Sequence, residues 1–252
     1  MPSTRRGVVL AAGFGSRLRT QTGPEDAKLK PLTPVAGVPL LFRALRSLEL
    51  AGCARIVVVV GFGADDLEKA VADGYTGRAQ VELVMNERYD LANGVSLLAA
   101  RGHVGDDFVV TMADHVLGDD LMARAHAHRP PANGATLLVD RRVHEVFDLD
   151  DATKVRTEGD HVVEIGKQLH TYDCIDTGVF VCTAGLMRAL ERVLEETGDA
   201  SLSQGVGALA SEGLMTVLDV GDAFWQDVDT PEMLAHAESC LRARDRHTPV
   251  VA

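Results

Sequence analysis

The sequence predicts a single α/β domain built on a mostly parallel, mixed sheet flanked by helices, and three observations carry that prediction. Short runs rich in β-branched residues recur at 7–12, 54–61, 80–86, 107–113 and 134–140. Between most of them lie longer segments in which apolar residues return every three or four positions, with Gly or Pro near the ends. With 252 residues, 46% of them hydrophobic, the chain can bury most of its apolar surface around one sheet.

Taken in order, the run at 7–12 opens the chain as a strand, and helices are expected at 39–51, 64–73, 93–102 and 118–128, between and after the strands that follow. Strands that alternate with helices pair in parallel, because each crossover helix returns the chain to the same end of the sheet. The first 125 or so residues therefore form a βαβαβαβ unit. From 134 onward the pattern changes. The stretch "ATKVRTEGDHVVEIGK", 152–167, reads as a hairpin with its turn at "EGD", and "DTGVFVC", 176–182, as a strand. Helices return at 184–196, 202–212 and 231–244. No repeat or linker divides the chain, so one domain over 1–245 is expected, with halves at 1–130 and 131–245 and a loose tail at 246–252.

Composition excludes several classes. No apolar run approaches the roughly 18 residues of a membrane span, and "VVLAAGFGS", 8–16, is too short for an export core, so the cytoplasm is the expected compartment. Cys53, Cys174, Cys182 and Cys240 stand far apart without a C-x-x-C pair, which fits reduced, buried thiols rather than a zinc or redox site. A net charge of −12, with basic residues interspersed among acids, argues against a nucleic-acid partner.

The first loop, in "VVLAAGFGSRLRT", admits three readings. A dinucleotide fingerprint G-x-G-x-x-G would need glycine where Leu18 stands, and no acid ends the second strand. A Walker loop would need Gly-Lys-Ser/Thr. The third is a longer donor-rich loop that ends in a second basic motif, "KLKPL", at 28–32. There Leu10, Ala11, Ala12, Gly13, Gly15 and Ser16 let the backbone N–H groups approach a triphosphate, while Arg17 forks two donors onto its oxygens and Lys30 adds a point charge. Asp114 follows "FVVTMA" at the C-terminal end of a strand, where open α/β sheets place their ligands.

"LAAGFGSRL" followed by "KPL" closely resembles the signature of the nucleotidyltransferases that activate sugar phosphates and related alcohols, the sugar-phosphate pyrophosphorylases. The resemblance runs nearly end to end through "MADH", "IGKQL", "DTGVF" and "FWQDVDTPE". Within it, "NGVSLL", "DLDDATKV" and "FWQDVDTPE" look most like CTP:inositol-1-phosphate cytidylyltransferases. It implies a Rossmann-like, glycosyltransferase-A-like fold. It also implies attack by a cyclitol or sugar 1-phosphate, inositol 1-phosphate before others, on the α-phosphorus of a nucleoside triphosphate, CTP before GTP or UTP. Such a nucleophile is already charged near pH 7, since a phosphate monoester's second pKa is roughly 6. Catalysis then rests on holding two anions in line and neutralising the leaving pyrophosphate.

The resemblance assigns Mg²⁺ to Asp114 and Asp227; Asp229 is the near rival, but it precedes Thr230 and Pro231 at a helix start, which suits it to a local structural job and leaves Asp227 free for the metal. It places Asn93, Gly94 and Ser96 near the base, although Asn93 and Ser96 equally suit helix caps. It places Lys154, Lys167, Asp176, Thr177 and Gly178 around the acceptor, and makes Arg17, Lys30 and Lys167 the catalytic cations. Gly166 stands where hexose-accepting relatives carry glutamate, which speaks against a plain hexose and leaves room for a cyclitol or smaller alcohol. His115 departs from many relatives and is given no catalytic role, Asp150 and Asp151 fit a solvated acidic loop as well as a pocket wall, and a homodimer is left open. Some relatives are fused to a membrane-embedded synthase; this sequence ends without a hydrophobic segment, so such a partner is expected to be separate. From another class, a nucleotide-sensing domain without turnover is the alternative, against which the paired carboxylates speak.

Overall fold

The computed structural model describes residues 5–15 and 29–247, with side chains through residue 244. Strand β1 (Arg6–Leu10) lies between β4 (Arg55–Val60) and β6 (Phe108–Met112), and β4 pairs with β5 (Gln80–Met85), all in parallel. Successive side chains of a strand face opposite ways. Val8 and Leu10 accordingly enter one core and Val9 and Ala11 the other. On the second side pack helices α1 (Leu40–Leu50), α2 (Ala64–Gly74) and α4 (Asp119–Ala127). The first side is covered by α3 (Asn93–Ala99), α5 (Ala184–Thr197) and α6 (Leu202–Ser211), the last begun by a Ser201/Gln204 capping box.

The second half completes the same sheet. Strand β11 (Cys174–Cys182) runs antiparallel between β6 and β8 (Ala135–Asp140). Beyond β8 come β12 (Met215–Asp219) and the hairpin of β10 (His161–Gly166) and β9 (Lys154–Glu158). The order is β5-β4-β1-β6-β11-β8-β12-β10-β9, and only β10 and β11 run against the other seven strands. The mostly parallel mixed sheet is thus present, and β12 is a strand the periodicity did not reveal.

Three further pieces position the site. The short hairpin of β2 (Pro34–Val35) and β3 (Val38–Pro39) leads into α1. The ribbon of β7 (His115–Leu117) and β13 (Trp225–Asp227) pairs His115 with Asp227, which joins residues more than a hundred positions apart. A small core of Val35, Leu40, Val116, Val228 and Ala237 pins helix α7 (Pro231–His247) beneath them. That helix runs to His247, so the expected loose tail loses its first two residues to it; 248–252 lie outside the described residues. Among the described residues no helix is long and apolar enough to cross a membrane.

Candidate active site

Two clefts meet at the C-terminal edge of the parallel strands. The first, about 230 Å³, is lined by Leu10, Ala11, Gly13 and Gly15 of the loop after β1, by Lys30 and Pro31, and by Ala113, Asp114 and Asp229. Gly15 has a φ of +58°, and a Cβ there would stand 2.6 Å from the Cβ of Lys30, so glycine lets the loop fold against the "KPL" turn. Ala12 is buried, and its carbonyl accepts from Phe62 N at 3.1 Å, outside the cleft lining. Ser16 and Arg17 lie outside the described residues.

Lys30 is the hinge between the clefts. Its ammonium donates to Asp114 Oδ2 at 2.5 Å and to Asp229 Oδ1. Burial works against the charge on Lys30, but the two carboxylates overcome it and raise its pKa. Burial likewise opposes ionisation of Asp114, yet Lys30 and His115 reverse the effect and hold that carboxyl well below the usual carboxylate range. His115 Nδ1–H donates to Asp114 Oδ1 at 2.7 Å. Against the burial of its ring, Asp114, Asp227 and Asp176 raise the His115 pKa.

The second cleft, about 250 Å³, shares Asp114 and Asp229 with the first and adds His115, Asp151, Lys167, Asp176, Gly178, Trp225 and Asp227 among its walls. Lys167, half exposed, ion-pairs with Asp151 at 2.8 Å, so the acidic loop is part of the wall. The pairing of β11 with β8 slips between Asp176 and Phe180, and Gly178 in that slip has a φ of +75°. A Cβ on Gly178 would stand 2.6 Å from His115 Nε2, so only glycine admits the imidazole here. Burial pushes the Asp176 carboxyl up to about 6, although Gly178 N donates to it at 2.7 Å. Burial also raises the Asp227 carboxyl, partly offset by His115.

Several residues expected at the ligands face their own chain instead. Lys154 directs its ammonium to the carbonyls of Asp150, Ala152 and Lys167 at 3.1 to 3.2 Å, which shapes the loop beside the second cleft. Thr177 is fully buried and donates to Leu138 O at 2.8 Å. Gly94 packs beneath Ala200 O, and Ser96 accepts from Asn86 Nδ2 at 3.0 Å. Neither Ser96 nor Asn93 caps α3, which has no side-chain N-cap. Asn93 accepts from Leu202 N at 2.9 Å and lies on the second cleft rather than beside the first loop.

The sequence reading missed Asp140. This carboxylate, 3% exposed, accepts from Trp225 Nε1 at 2.9 Å and is gripped by Arg142, whose Nη2 also reaches Ala223 O at 3.0 Å. Trp225 opens β13, so Asp140 fixes the strand that ends in Asp227. Asp140→Ala leaves a half-buried guanidinium and an indole N–H without their partner, and is expected to cost about 3 kcal/mol in a urea melt followed by the fluorescence of Trp225, the chain's one tryptophan. A loss under about 0.5 kcal/mol would show that the clamp does not hold β13.

Fold and site together define a Rossmann-like nucleotidyltransferase domain. Residues 7–212 match the MobA-like NTP transferase domain, and the chain belongs to that family. It is 40% identical over 245 residues to the bifunctional IPC transferase and DIPP synthase of Rubrobacter xylanophilus, covering 94% of this chain and 52% of that protein. To the protein of the same description from Aquifex aeolicus it is 33% identical over 234 residues, covering 93% and 51%. The chain spans about half the length of these curated relatives. The solved structure of the inositol-1-phosphate CTP transferase from T. maritima superposes with a TM-score of 0.79 at 27% identity, over 94% of this chain and 97% of that one.

Proposed function

We propose that the chain transfers a cytidylyl group from CTP to inositol 1-phosphate, releasing pyrophosphate, with Mg²⁺ as its cofactor. One observation carries the reading: Asp114 and Asp229 line both clefts, so a group held in the first lies open to attack from the second. The names of the R. xylanophilus and A. aeolicus relatives and the T. maritima structure support the choice of substrates.

In this reading the small residues after β1 and the Lys30 ammonium hold the triphosphate, and Lys30 offsets charge that gathers on the leaving pyrophosphate. Lys167, braced by Asp151, receives the acceptor's phosphate, and Asp176 meets its hydroxyls. No side chain need remove a proton from the attacking phosphate oxygen. Among the described residues no three His, Cys, Asp or Glu form a ready metal cage. Mg²⁺ needs only one or two carboxylates besides phosphate and water, and Asp114 with Asp227 or Asp229 fits that demand. When bound, the ion supplies positive charge to the phosphates that the ammonium groups alone leave partly unbalanced. A cytoplasmic setting is part of the proposal, supported by four unpaired cysteines.

Pyrophosphate release with CTP, UTP, GTP or dTTP against a panel of cyclitol and hexose 1-phosphates, with and without Mg²⁺, tests the proposal. Release is expected to be greatest with CTP and inositol 1-phosphate, and to vanish with EDTA. Absence of release from every pair would overturn it. Within the same assay, Lys167→Ala is expected to raise the acceptor KM by at least about tenfold while leaving the CTP KM within about twofold, because it removes one charge-assisted contact on one side only.

A further inference from the structure

At the opposite edge of the sheet the parallel register gathers arginines that are scattered in the sequence. Arg6 opens β1 directly beside Arg55, which opens β4, and Arg55 stands beside Gln80 of β5. Neighbours in register face the same side, so two guanidinium groups share one face on adjacent strands and repel each other. Arg5 and Arg78 join them, with Ala54, Gln80, Gly105 and Asp107, around a cleft of about 630 Å³, within the range of small-molecule sites.

Two acids close by, Asp107 and Glu49, are already engaged. Asp107 accepts from Arg5 Nε at 2.8 Å, and Arg5 is itself buried and anchored on the carbonyls of Ala125 and His128. Glu49, beside Arg78, accepts from the Tyr75 hydroxyl and from Ala79 N at 2.9 and 2.7 Å. Arg6 spends one N–H on His103 O. Arg55 and Arg78 are exposed; Arg78 donates its backbone N–H to Glu49 and its charge also favours that carboxylate, which is held by several other donors, so most of its fork faces outward. In a chain of net charge −12, a cleft with four arginines, of which Arg5 is paired with its one aspartate, keeps a local positive field from the other three whose repulsion an anion would relieve.

We propose that this cleft is a second anion site, distinct from the active site, that takes a small molecule carrying phosphate groups. Guanidinium forks match phosphate oxygens two at a time, and Arg55 and Arg78 have theirs to give. The inference is independent of the reaction assigned to the other edge. Isothermal titration with inorganic pyrophosphate, in EDTA and low salt, tests it on the wild type, on Arg55→Gln/Arg78→Gln and on Lys30→Gln. Both substituted arginines are exposed, so the double variant is expected to melt close to the wild-type temperature in the absence of anion, because the lost repulsion of Arg55 for Arg6 offsets the lost attraction of Arg78 for Glu49. It is expected to lose, by no less than about tenfold in affinity, a binding event that Lys30→Gln keeps. If the double variant binds pyrophosphate with wild-type stoichiometry and affinity, the site does not exist. Should the Lys30 variant not fold, the comparison of double variant with wild type decides alone.

Discussion

Asp114→Asn is expected to cut pyrophosphate release by about a thousandfold while leaving the protein folded. The substitution keeps the side chain's shape and removes its charge. Asp114 borders both clefts and holds Lys30 and His115 through its two oxygens, so its loss strikes nucleotide, acceptor and the expected Mg²⁺ together. Lys30 keeps Asp229 as a partner, and the imidazole still faces Asp227 and Asp176, which is why the fold survives. Activity within about threefold of wild type, in a variant with an unchanged circular dichroism spectrum, would remove Asp114 from the reaction.

The second large effect is expected at Lys30. Lys30→Met leaves Asp114 and Asp229 facing each other without the buried cation between them, and should cost about 3 to 5 kcal/mol at neutral pH besides abolishing turnover. The pH dependence has a definite sign. In the wild type the Asp114 pKa is depressed below its ordinary value of about 3.9, so its contribution to stability is present above that value and is lost as the pH falls through the folded pKa. Without the cation, the ionised carboxylates repel and the folded pKa of Asp114 rises. Protonation then relieves the strain, so the variant's deficit should be greatest near pH 7 and shrink toward pH 4. Thermal melts of both proteins across that interval check it, and a deficit that grows in acid would refute the arrangement.

The framework was legible in the sequence where a regular period was long enough to show. The parallel strands β1, β4, β5, β6 and β8 are β-branched runs bounded by turns, and their ends fall within a residue or two of the expected ones. The ribbon of β7 and β13 was not legible, since three residues carry no period, yet it is what sets Asp227 against His115. Charge-bearing site residues in recognisable strings, Lys30, Asp114, Lys167 and Asp227, do reach the clefts.

Polar residues expected at a ligand were harder to place. Lys154, Thr177 and Ser96 have the chemistry of ligand contacts, but buried carbonyls and amides of the chain need that same chemistry, and here the chain's own groups take it. His115 and Asp140 each join a neighbour close in sequence, Asp114 and Arg142, to one remote from it, Asp227 and Trp225, and no local spacing announces the remote half. The gathering of Arg6 and Arg55 has the same origin, because strand register, not sequence distance, sets who stands beside whom.

The central claim is that two substrates meet across the Asp114, Lys30 and Asp229 junction, where the α-phosphorus leaves pyrophosphate and bonds to the acceptor's phosphate oxygen. The most direct measurement is a single-turnover reaction of the protein with Mg²⁺, inositol 1-phosphate and CTP labelled either at the α- or at the γ-phosphorus. The account predicts that the α-label appears in a cytidine diphosphate ester of inositol and the γ-label in pyrophosphate. Label released as inorganic phosphate, or an α-label that stays in CTP, would contradict it.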